Sequence, residues 1–401
     1  MDSATSTKHH LPEAILSEIL ARLPLRSISR FKSVSKTLKA TLESVYFRRL
    51  FVSLHKDSSS YWSLGSREGD ELIGFHGCKT WDLPKSPGSF ISLPLGFEFK
   101  ASSNGLVLME RYDCSYVGNP VLTVDQDPSQ LPLDDCTTIV FGLVTRVDED
   151  GVVLSFKVVR IASWVIKNGP NSYTLDMFVY SSETGIWTLK ILQCPYLITK
   201  LGASAKNLNG TIYCVILNVP GVVVAHDFYS ESDQFMVVHL PEHSNHSSSN
   251  NNGVVNGVLT TSGGFLMYMK SLVQERGTVL KVWRLNNDES WQLLCENGLS
   301  ISGSFVPIAM HPFDSDTVYL WHQQSPSRHL MNQSGFEEYM DGIGRTRASD
   351  WYYTVLIGLF QSMLPRWMEP VPRPPRAEMI DTTSLLSQVA CCFIPQEEKD
   401  E

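Results

Sequence analysis

One arrangement recurs along this chain and limits what it can fold into. A strand-forming run leads to a polar turn, then to an aromatic residue, then to a second apolar run. It is read in "MFVYSSETGIWTLKIL" (Met177–Leu192), "VAHDFYSESDQFMVVHLP" (Val224–Pro241) and "KVWRLNNDESWQLLC" (Lys281–Cys295). The aromatics Trp187, Phe235 and Trp291 stand at intervals of 48 and 56 residues. Gly210 and Gly264 repeat at 54, and Gly105 lies a further 105 upstream, close to two such periods. A unit of about fifty residues holding about four short strands cannot bury its own apolar face and must stack on copies of itself.

Further runs agree. "NGLVLM" (Asn104–Met109), "DGVVLSFKVVRI" (Asp150–Ile161), "NGTIYCVIL" (Asn209–Leu217) and "GGFLMYM" (Gly263–Met269) each place a glycine-bearing turn ahead of a β-rich run, as antiparallel hairpins do. The period and strand count predict a mainly all-β domain over residues 60–376, β-propeller-like in architecture. A β-sandwich or an irregular all-β domain is the alternative. The longer interval contains "EHSNHSSSNNNG" (residues 242–253), a flexible loop by composition. "SDWYYTVLIGLFQSML" (Ser349–Leu364) reads as a late strand pair or a helix, placed to complete a blade, and "PRWMEPVPRPPRA" (Pro365–Ala377) as extended chain. Residues 1–7 and the tail 377–401, which ends "PQEEKDE", are expected to be disordered.

At 401 residues, 43% of them hydrophobic, the chain has enough apolar material for a large core. No run approaches the ~18 apolar residues of a membrane helix, and "MDSATSTKHH" has no apolar stretch of a secretory signal. Eight cysteines are scattered without a CxxC pair, which fits reduced thiols in the cytosol or nucleus. Cys391 and Cys392 lack the basic flank or amphipathic helix that would argue for acylation. Charge is uneven. Residues 11–50 hold eight Lys/Arg and three Asp/Glu, a balance of +5, whereas residues 51–401 hold 24 and 38, a balance of −14. A basic head implies an acidic partner, and because an acidic body repels nucleic acid, an acidic protein surface is expected.

The head begins "LPEAILSEILARLPLRSISRFKSVSK" (Leu11–Lys36). Ile15, Leu16, Ile19, Leu20 and Leu23 recur at helical spacing and form one wide stripe, with Glu18 and Arg22 as an i,i+4 pair on the polar side. Pro24 stops this helix. Ser27 reads as the N-cap of a second, striped by Ile28, Phe31 and Val34, and a third is expected from Ser35 through Leu38 to Leu42. "VYFRRLF" (Val45–Phe51) supplies further apolar contacts. So short a segment cannot bury a core alone; its apolar face serves either the body or a partner.

The order Leu11-Pro12, "AILSEIL", Arg22-Leu23-Pro24, "SISRFKSVSK" and the late aromatic Phe47 resembles the F-box family. Leu38 departs from the pattern: it stands where the family usually has Trp, keeping an apolar anchor but losing an aromatic one. The resemblance implies an all-α F-box of three short helices over residues 8–50 that binds a Skp-type adaptor and, through it, a cullin scaffold. It assigns adaptor binding or F-box packing to Leu11, Pro12, Ile15, Ile19, Leu20, Leu23, Pro24, Ile28, Phe31, Val34 and Leu38. If Leu11, Ile15, Ile19, Leu20, Ile28 and Phe31 all bury against the adaptor, each contributes roughly 1.5–3 kcal/mol, much of it offset by association entropy. In the body, Gly118-Asn119-Pro120, Val179–Trp187, Gly210–Val215, Val282–Leu285 and His311–Leu320 follow one another as in the F-box-associated domain of the large plant F-box family. That resemblance spans roughly residues 90–325 and implies recognition of a target protein for ubiquitination, with no indication of which target.

No pattern in the chain argues for catalysis. His226-Asp227 has no nucleophile motif beside it; His311, His322 and His329 are spaced too widely for a local metal site; Asp148–Asp150 and Asp314–Asp316 read as solvated turns. The sequence has no phosphate-binding glycine loop, GxSxG or HExxH. The expectation is a non-catalytic chain without metal, cofactor, membrane or nucleic-acid binding, acting in the cytoplasm or nucleus as the substrate receptor of an SCF-type ubiquitin ligase. The competing reading is a propeller enzyme or carbohydrate-binding module whose N-terminal helices only pack on the body. Loss of residues 1–50 would then destabilise the body, whereas a receptor's body is expected to survive it. A third reading is an F-box protein that binds the adaptor without recruiting a cullin.

Overall fold

The computed structural model describes residues 12–55, 62–66, 72–75, 78–82, 98–111, 114–119, 123–126, 139–169, 172–199, 201–202, 205–241, 257–274, 277–299, 305–322, 328–332, 335–339, 359–368 and 371–372. The segments 1–7, 242–253 and 377–401, for which disorder or flexibility is expected, lie outside the described residues.

Four helices are found among them: α1 (Glu13–Leu20), α2 (Leu25–Phe31), α3 (Lys36–Leu42) and α4 (Val45–Leu54). Pro12 stands just ahead of α1, where its missing N–H costs nothing. Pro24 does the same for α2, which therefore begins at Leu25 and not after Ser27; the expected Ser27 cap is corrected to a first-turn residue. Ser35 caps α3 by accepting from the Leu38 N–H at 3.1 Å, and Ser44 caps α4 by accepting from Phe47 N–H at 3.1 Å. That second serine cap turns "VYFRRLF" into a fourth helix where the sequence promised only contacts.

Six antiparallel sheets follow among the described residues, arranged as the blades of a β-propeller. Blade 1 holds β1 (Trp62–Ser66) and β2 (Leu72–Phe75). Blade 2 is β3 (Glu98–Ser103), β4 (Leu106–Arg111), β5 (Cys114–Asn119) and β6 (Thr123–Gln126). Blade 3 is β7 (Ile139–Val147), β8 (Val153–Gly169), β9 (Ser172–Ser181) and β10 (Ile186–Cys194). Blade 4 is β11 (Lys206–Leu208), β12 (Thr211–Val215), β13 (Val222–Asp227) and β14 (Met236–His239). Blade 5 is β15 (Gly257–Ser262), β16 (Phe265–Gln274), β17 (Gly277–Leu285) and β18 (Trp291–Leu299). Blade 6 is β19 (Phe305–Met310), β20 (Thr317–His322), β21 (Arg328–Asn332) and β22 (Gly335–Tyr339), and β23 (Leu359–Met363) returns to blade 1 beside β1.

The first strands line the centre: β23 lies against β3, β3 against β7, β7 against β11, β11 against β15 and β15 against β19. The recurring sequence element is the hairpin of the third and fourth strands in blades 3, 4 and 5, with Trp187 second in β10, Phe235 preceding β14 and Trp291 opening β18. The recurring glycines are the preceding hairpin. Asn104-Gly105, Asn209-Gly210 and Gly263-Gly264 all have positive φ at both residues, the backbone of a tight turn matched to strand twist.

The core lies between blades. Leu106, Leu108 and Val117 of blade 2 meet Leu143, Phe156 and Val158 of blade 3. Val159, Met177 and Leu192 of blade 3 meet Ile212, Cys214 and Val224 of blade 4. Val223 and Val238 meet Leu259, Tyr268 and Trp283 of blade 5, whose Met267, Met269 and Val282 meet Met310 and Leu320 of blade 6. The ring closes where Trp62–Ser66 pairs with Leu359–Met363, residue for residue from Trp62 opposite Met363 to Ser66 opposite Leu359. Of the two readings offered for the late apolar run, the strand is the one formed over Leu359–Met363.

Candidate functional site: the helical face and the channel mouth

The wide stripe of α1 divides. Leu16, Leu20 and Leu23 face a core completed by Ala21, Leu25, Ile28, Leu42, Phe47 and Phe51 and by the propeller's own Cys78, Trp81, Val152, Leu364, Trp367 and Met368. Ile15 and Ile19, one helical turn apart on the other side, are each 49% exposed. Beyond them Pro12, Phe31 and Val34 also stand in solvent, Val34 at 67%. The residues assigned from sequence therefore fall into three groups. Pro12, Ile15, Ile19, Phe31 and Val34 are exposed; Leu23, Pro24 and Leu38 are half-buried; Leu20 and Ile28 are buried. Leu11 lies outside the described residues. Leu20 and Ile28, expected also to bury against a partner, are instead buried in the chain's own core, the F-box-packing role that the set also carried. Val45 and Tyr46, at 56% and 62% exposure, are apolar positions of α4 not singled out from sequence.

The opposite side of the helical head is locked to the propeller. Phe47 and Phe51 lie 6.0 and 5.1 Å, centroid to centroid, from the Trp367 ring. The Trp81 indole N–H donates to the Pro365 carbonyl at 2.8 Å. Arg48 Nη2 reaches Asp148 at 2.9 Å and Asp150 at 3.1 Å, and Arg49 lies 3.6 Å from Glu149 and 3.7 Å from Asp150. Asp148 is held in place because its Oδ1 accepts from the main-chain N–H of Asp150 and Val152, both at 2.9 Å. The acidic turn read as solvated is thus an arginine acceptor, and part of the acidic partner sought for the basic head is the chain's own body.

The second site is the end of the central channel where the first-to-second strand turns converge. A cavity of about 480 Å³ opens there, lined by Lys100, Ser103 and Asn104 of blade 2, Gly142 of blade 3, Lys206, Asn207 and Asn209 of blade 4, Gly263 and Gly264 of blade 5, Phe313 of blade 6, and Met363 and Arg366 after closure. Polar side chains are knitted along this wall. Ser103 and Thr145 hydroxyls lie 2.6 Å apart, Asn104 Nδ2 donates to Thr145 at 2.8 Å, and Asn207 Nδ2 donates to the Leu143 carbonyl at 2.9 Å and to Ser103. Asn207 Oδ1 is left without a partner among the described residues. Lys100 pairs with Glu110 at 3.0 Å, and Glu110 also takes Arg160, buried between blades. The nearest sequence signal for this site is the set of glycine turns, which mark where chain reverses but not that the reversals share one mouth.

The groups considered for chemistry have structural duties. His226 is buried in β13, its Nδ1 is 3.0 Å from the Gln234 carbonyl, and burial pushes its pKa below the usual value. Asp227 accepts from Tyr229 N–H at 2.8 Å. His311 Nδ1 lies 3.2 and 3.0 Å from the Phe313 and Asp314 N–H groups, the position of an acceptor that shapes the turn. Asp314 accepts from the Thr317 hydroxyl at 2.6 Å, which holds its carboxyl below the usual range. Burial drives the Cys214 thiol up to about 12, far from a nucleophile's range. The side chains of His322 and His329 lie outside the described residues, and no group of three metal-ligating side chains is found among those described. No helix among them is long and apolar enough to cross a membrane.

A helical head with an exposed apolar face is fixed to a propeller with an open polar mouth, the architecture of a helical domain joined to a β-propeller. Comparison with known proteins agrees. The F-box domain model matches residues 9–50, and the model of the At3g26010-like F-box protein beta-propeller matches residues 59–332. The chain belongs to this family of F-box proteins. It is 50% identical to F-box protein At3g26010 of Arabidopsis thaliana over 410 residues, covering 95% of each chain. It is 43% identical to the putative F-box/kelch-repeat protein At4g22430 of the same plant, covering 97% of this chain and 99% of that one.

Proposed function

We propose that this chain is a substrate receptor of an SCF-type ubiquitin ligase. The F-box docks on a Skp-type adaptor, the adaptor links it to a cullin, and the propeller holds a target protein for ubiquitination. The chain itself contributes no catalytic group; it works by proximity, raising the effective concentration of target lysines at the ubiquitin-loaded enzyme. Such a complex operates in the cytoplasm or nucleus. The observation that carries this reading is the exposure of Ile15, Ile19, Phe31 and Val34 beside a core that buries Leu20, Leu25, Ile28, Leu42, Phe47 and Phe51 of the same domain. Apolar side chains kept out of a core that lies one residue away fit a partner's surface. The test is capture of purified Skp-type adaptor by the wild-type chain and by Ile15→Ala/Ile19→Ala/Val34→Ala. The variant is expected to lose the adaptor while keeping its circular dichroism spectrum, and a well-folded wild type that captures no adaptor would refute the reading.

The competing reading, an enzyme or carbohydrate-binding propeller with packing helices, draws on the shared core of head and body. That core is compatible with a receptor too, so it does not favour either reading; the exposed stripe favours the receptor.

A further inference from the structure

Half of the head's positive charge has no carboxylate of its own. Residues 11–50 hold eight Lys/Arg. Arg22 meets Glu18 at 2.8 Å, Lys32 meets Glu43 at 3.6 Å, and Arg48 and Arg49 grip the acidic turn of the propeller. Arg26, Arg30, Lys36 and Lys39 form no ion pair among the described residues, and all four are exposed on α2 and α3. These cations surround the connection Lys32–Ser35, where the chain leaves α2 at Phe31 and enters α3 at Lys36. Ser33 stands there in solvent between Phe31 and Val34, two of the exposed apolar residues. Arg30 comes three residues before it, Lys32 one before and Lys36 three after. The Ser33 hydroxyl donates to the Arg30 carbonyl at 2.7 Å, a bond at the surface that water can replace.

We propose that Ser33 is a phosphorylation site and that its phosphate closes the apolar face to the adaptor. The effect on docking rests on the receptor reading; the modification itself does not. The reaction needs a protein kinase that selects arginine three positions before serine, together with MgATP. The Ser33 oxygen attacks the γ-phosphorus, an O–P bond forms, and the bond from that phosphorus to the β,γ-bridging oxygen breaks. ADP leaves with the electron pair, and the serine proton passes to the kinase's base. Such a kinase holds its substrate extended, with the arginine against carboxylates of its own. Ser33 meets that demand with little rearrangement. Residues 32–35 already lie outside the helices, and freeing Arg30 opens only the last turn of α2, held by main-chain bonds from Lys32 to Ile28, Ser33 to Arg30 and Val34 to Phe31. The neighbouring serines do not meet it. Ser29 has Arg26 three places before it, but it lies inside α2 beside the buried Ile28, so the helix would have to leave its core. Ser35 has Lys32 at that distance, and its hydroxyl oxygen is engaged in capping α3 through the Leu38 N–H. A phosphate brings about −1.5 to −2 charges. Arg30 and Lys36 are placed to hold it in the free chain through charge-assisted hydrogen bonds, whereas docking of Phe31 and Val34 would strip its water.

The test treats the full chain with the catalytic subunit of cyclic-AMP-dependent protein kinase and MgATP and maps phosphate by peptide mass spectrometry. Adaptor capture is measured before treatment, after it, and after removal of the phosphate by a phosphatase. The expected result is phosphate at Ser33, a loss of adaptor affinity of about tenfold or more, and recovery on dephosphorylation. Arg30→Gln is expected to slow incorporation about tenfold with the melting midpoint unchanged. Kinase treatment is expected to leave capture by Ser33→Ala at its untreated level. No phosphate at Ser33, phosphate at Ser29 or Ser35 in its place, or a fully modified chain that captures adaptor as before overturns the proposal. A well-folded untreated chain that captures no adaptor refutes the receptor reading and the switch with it, while phosphate found at Ser33 in that chain upholds the modification.

Discussion

Ile19 and Leu20 are chain neighbours with opposite duties: one is 49% exposed and the other 4%. Leu20→Ala leaves a cavity in the core shared by head and propeller and is expected to cost about 2–5 kcal/mol, read as a lower unfolding midpoint. Ile19→Ala is expected to leave that midpoint almost unmoved and to weaken adaptor capture instead. A measured loss of stability at Ile19 equal to that at Leu20 would remove the distinction on which the docking face depends. The stripe itself was legible from spacing, but its division was not, because the residues that claim Leu20 lie as far away as Met368. His226 makes a second prediction at this scale. Burial, opposed by the hydrogen bond to the Gln234 carbonyl and by Asp227 and Asp233 and aided by Lys190, favours its neutral form in the folded state. The unfolded state then binds more protons, so stability falls as pH drops below the ordinary histidine value of 6.5 toward the depressed folded one. Urea titrations are expected to show that acid limb in the wild type and a flatter one in His226→Leu.

Among the elements, α4 ties the helical head to the propeller. Phe47 and Phe51, one turn apart, insert toward Trp367, while Arg48 between them turns to the β7–β8 connection. The side chains of Arg48, Asp148 and Asp150 are only 19%, 17% and 13% exposed, so this ion pair is sheltered from the screening that empties surface pairs of value. Arg48→Ala leaves two carboxylates without that cation and is expected to cost about 1–3 kcal/mol. Asp150→Ala is expected to cost less in the Arg48→Ala background than in the wild type, and strictly additive losses in a double-mutant cycle would show the pair uncoupled. "DED" was readable as a turn and "VYFRRLF" as apolar, yet nothing local joins positions 48 and 148. The hairpins fared better: Asn104-Gly105 and Asn209-Gly210 specify their turns by backbone conformation alone, and the aromatics that follow gave the period of the blades.

At the scale of the molecule, closure and head are one device. β23 pairs with β1, and the chain then runs through Leu364, Trp367 and Met368 into the core beneath the helices. The propeller was legible because its period repeats; the fusion of head and body was not, because it depends on single residues from chain segments hundreds of positions apart. This changes what truncation can decide. Removing residues 1–50 uncovers Trp81, Leu364 and Trp367 and strips both arginines from the acidic turn, so the body is expected to unfold at a lower temperature whether or not the head binds an adaptor. The expectation that a receptor's body survives the cut is therefore replaced. A chain ending at residue 358 makes the complementary test. It keeps every F-box helix but loses β23 and, after it, the core residues Leu364, Trp367, Met368 and Val371, leaving β1 without its closing partner and α4 without Trp367. Scanning calorimetry should show a lower unfolding midpoint than that of the intact chain, and adaptor capture weakening with it, although no residue of the exposed face has been touched. If the shortened chain instead melts unchanged and captures adaptor normally, the head folds without the propeller and the two surfaces are not mechanically joined.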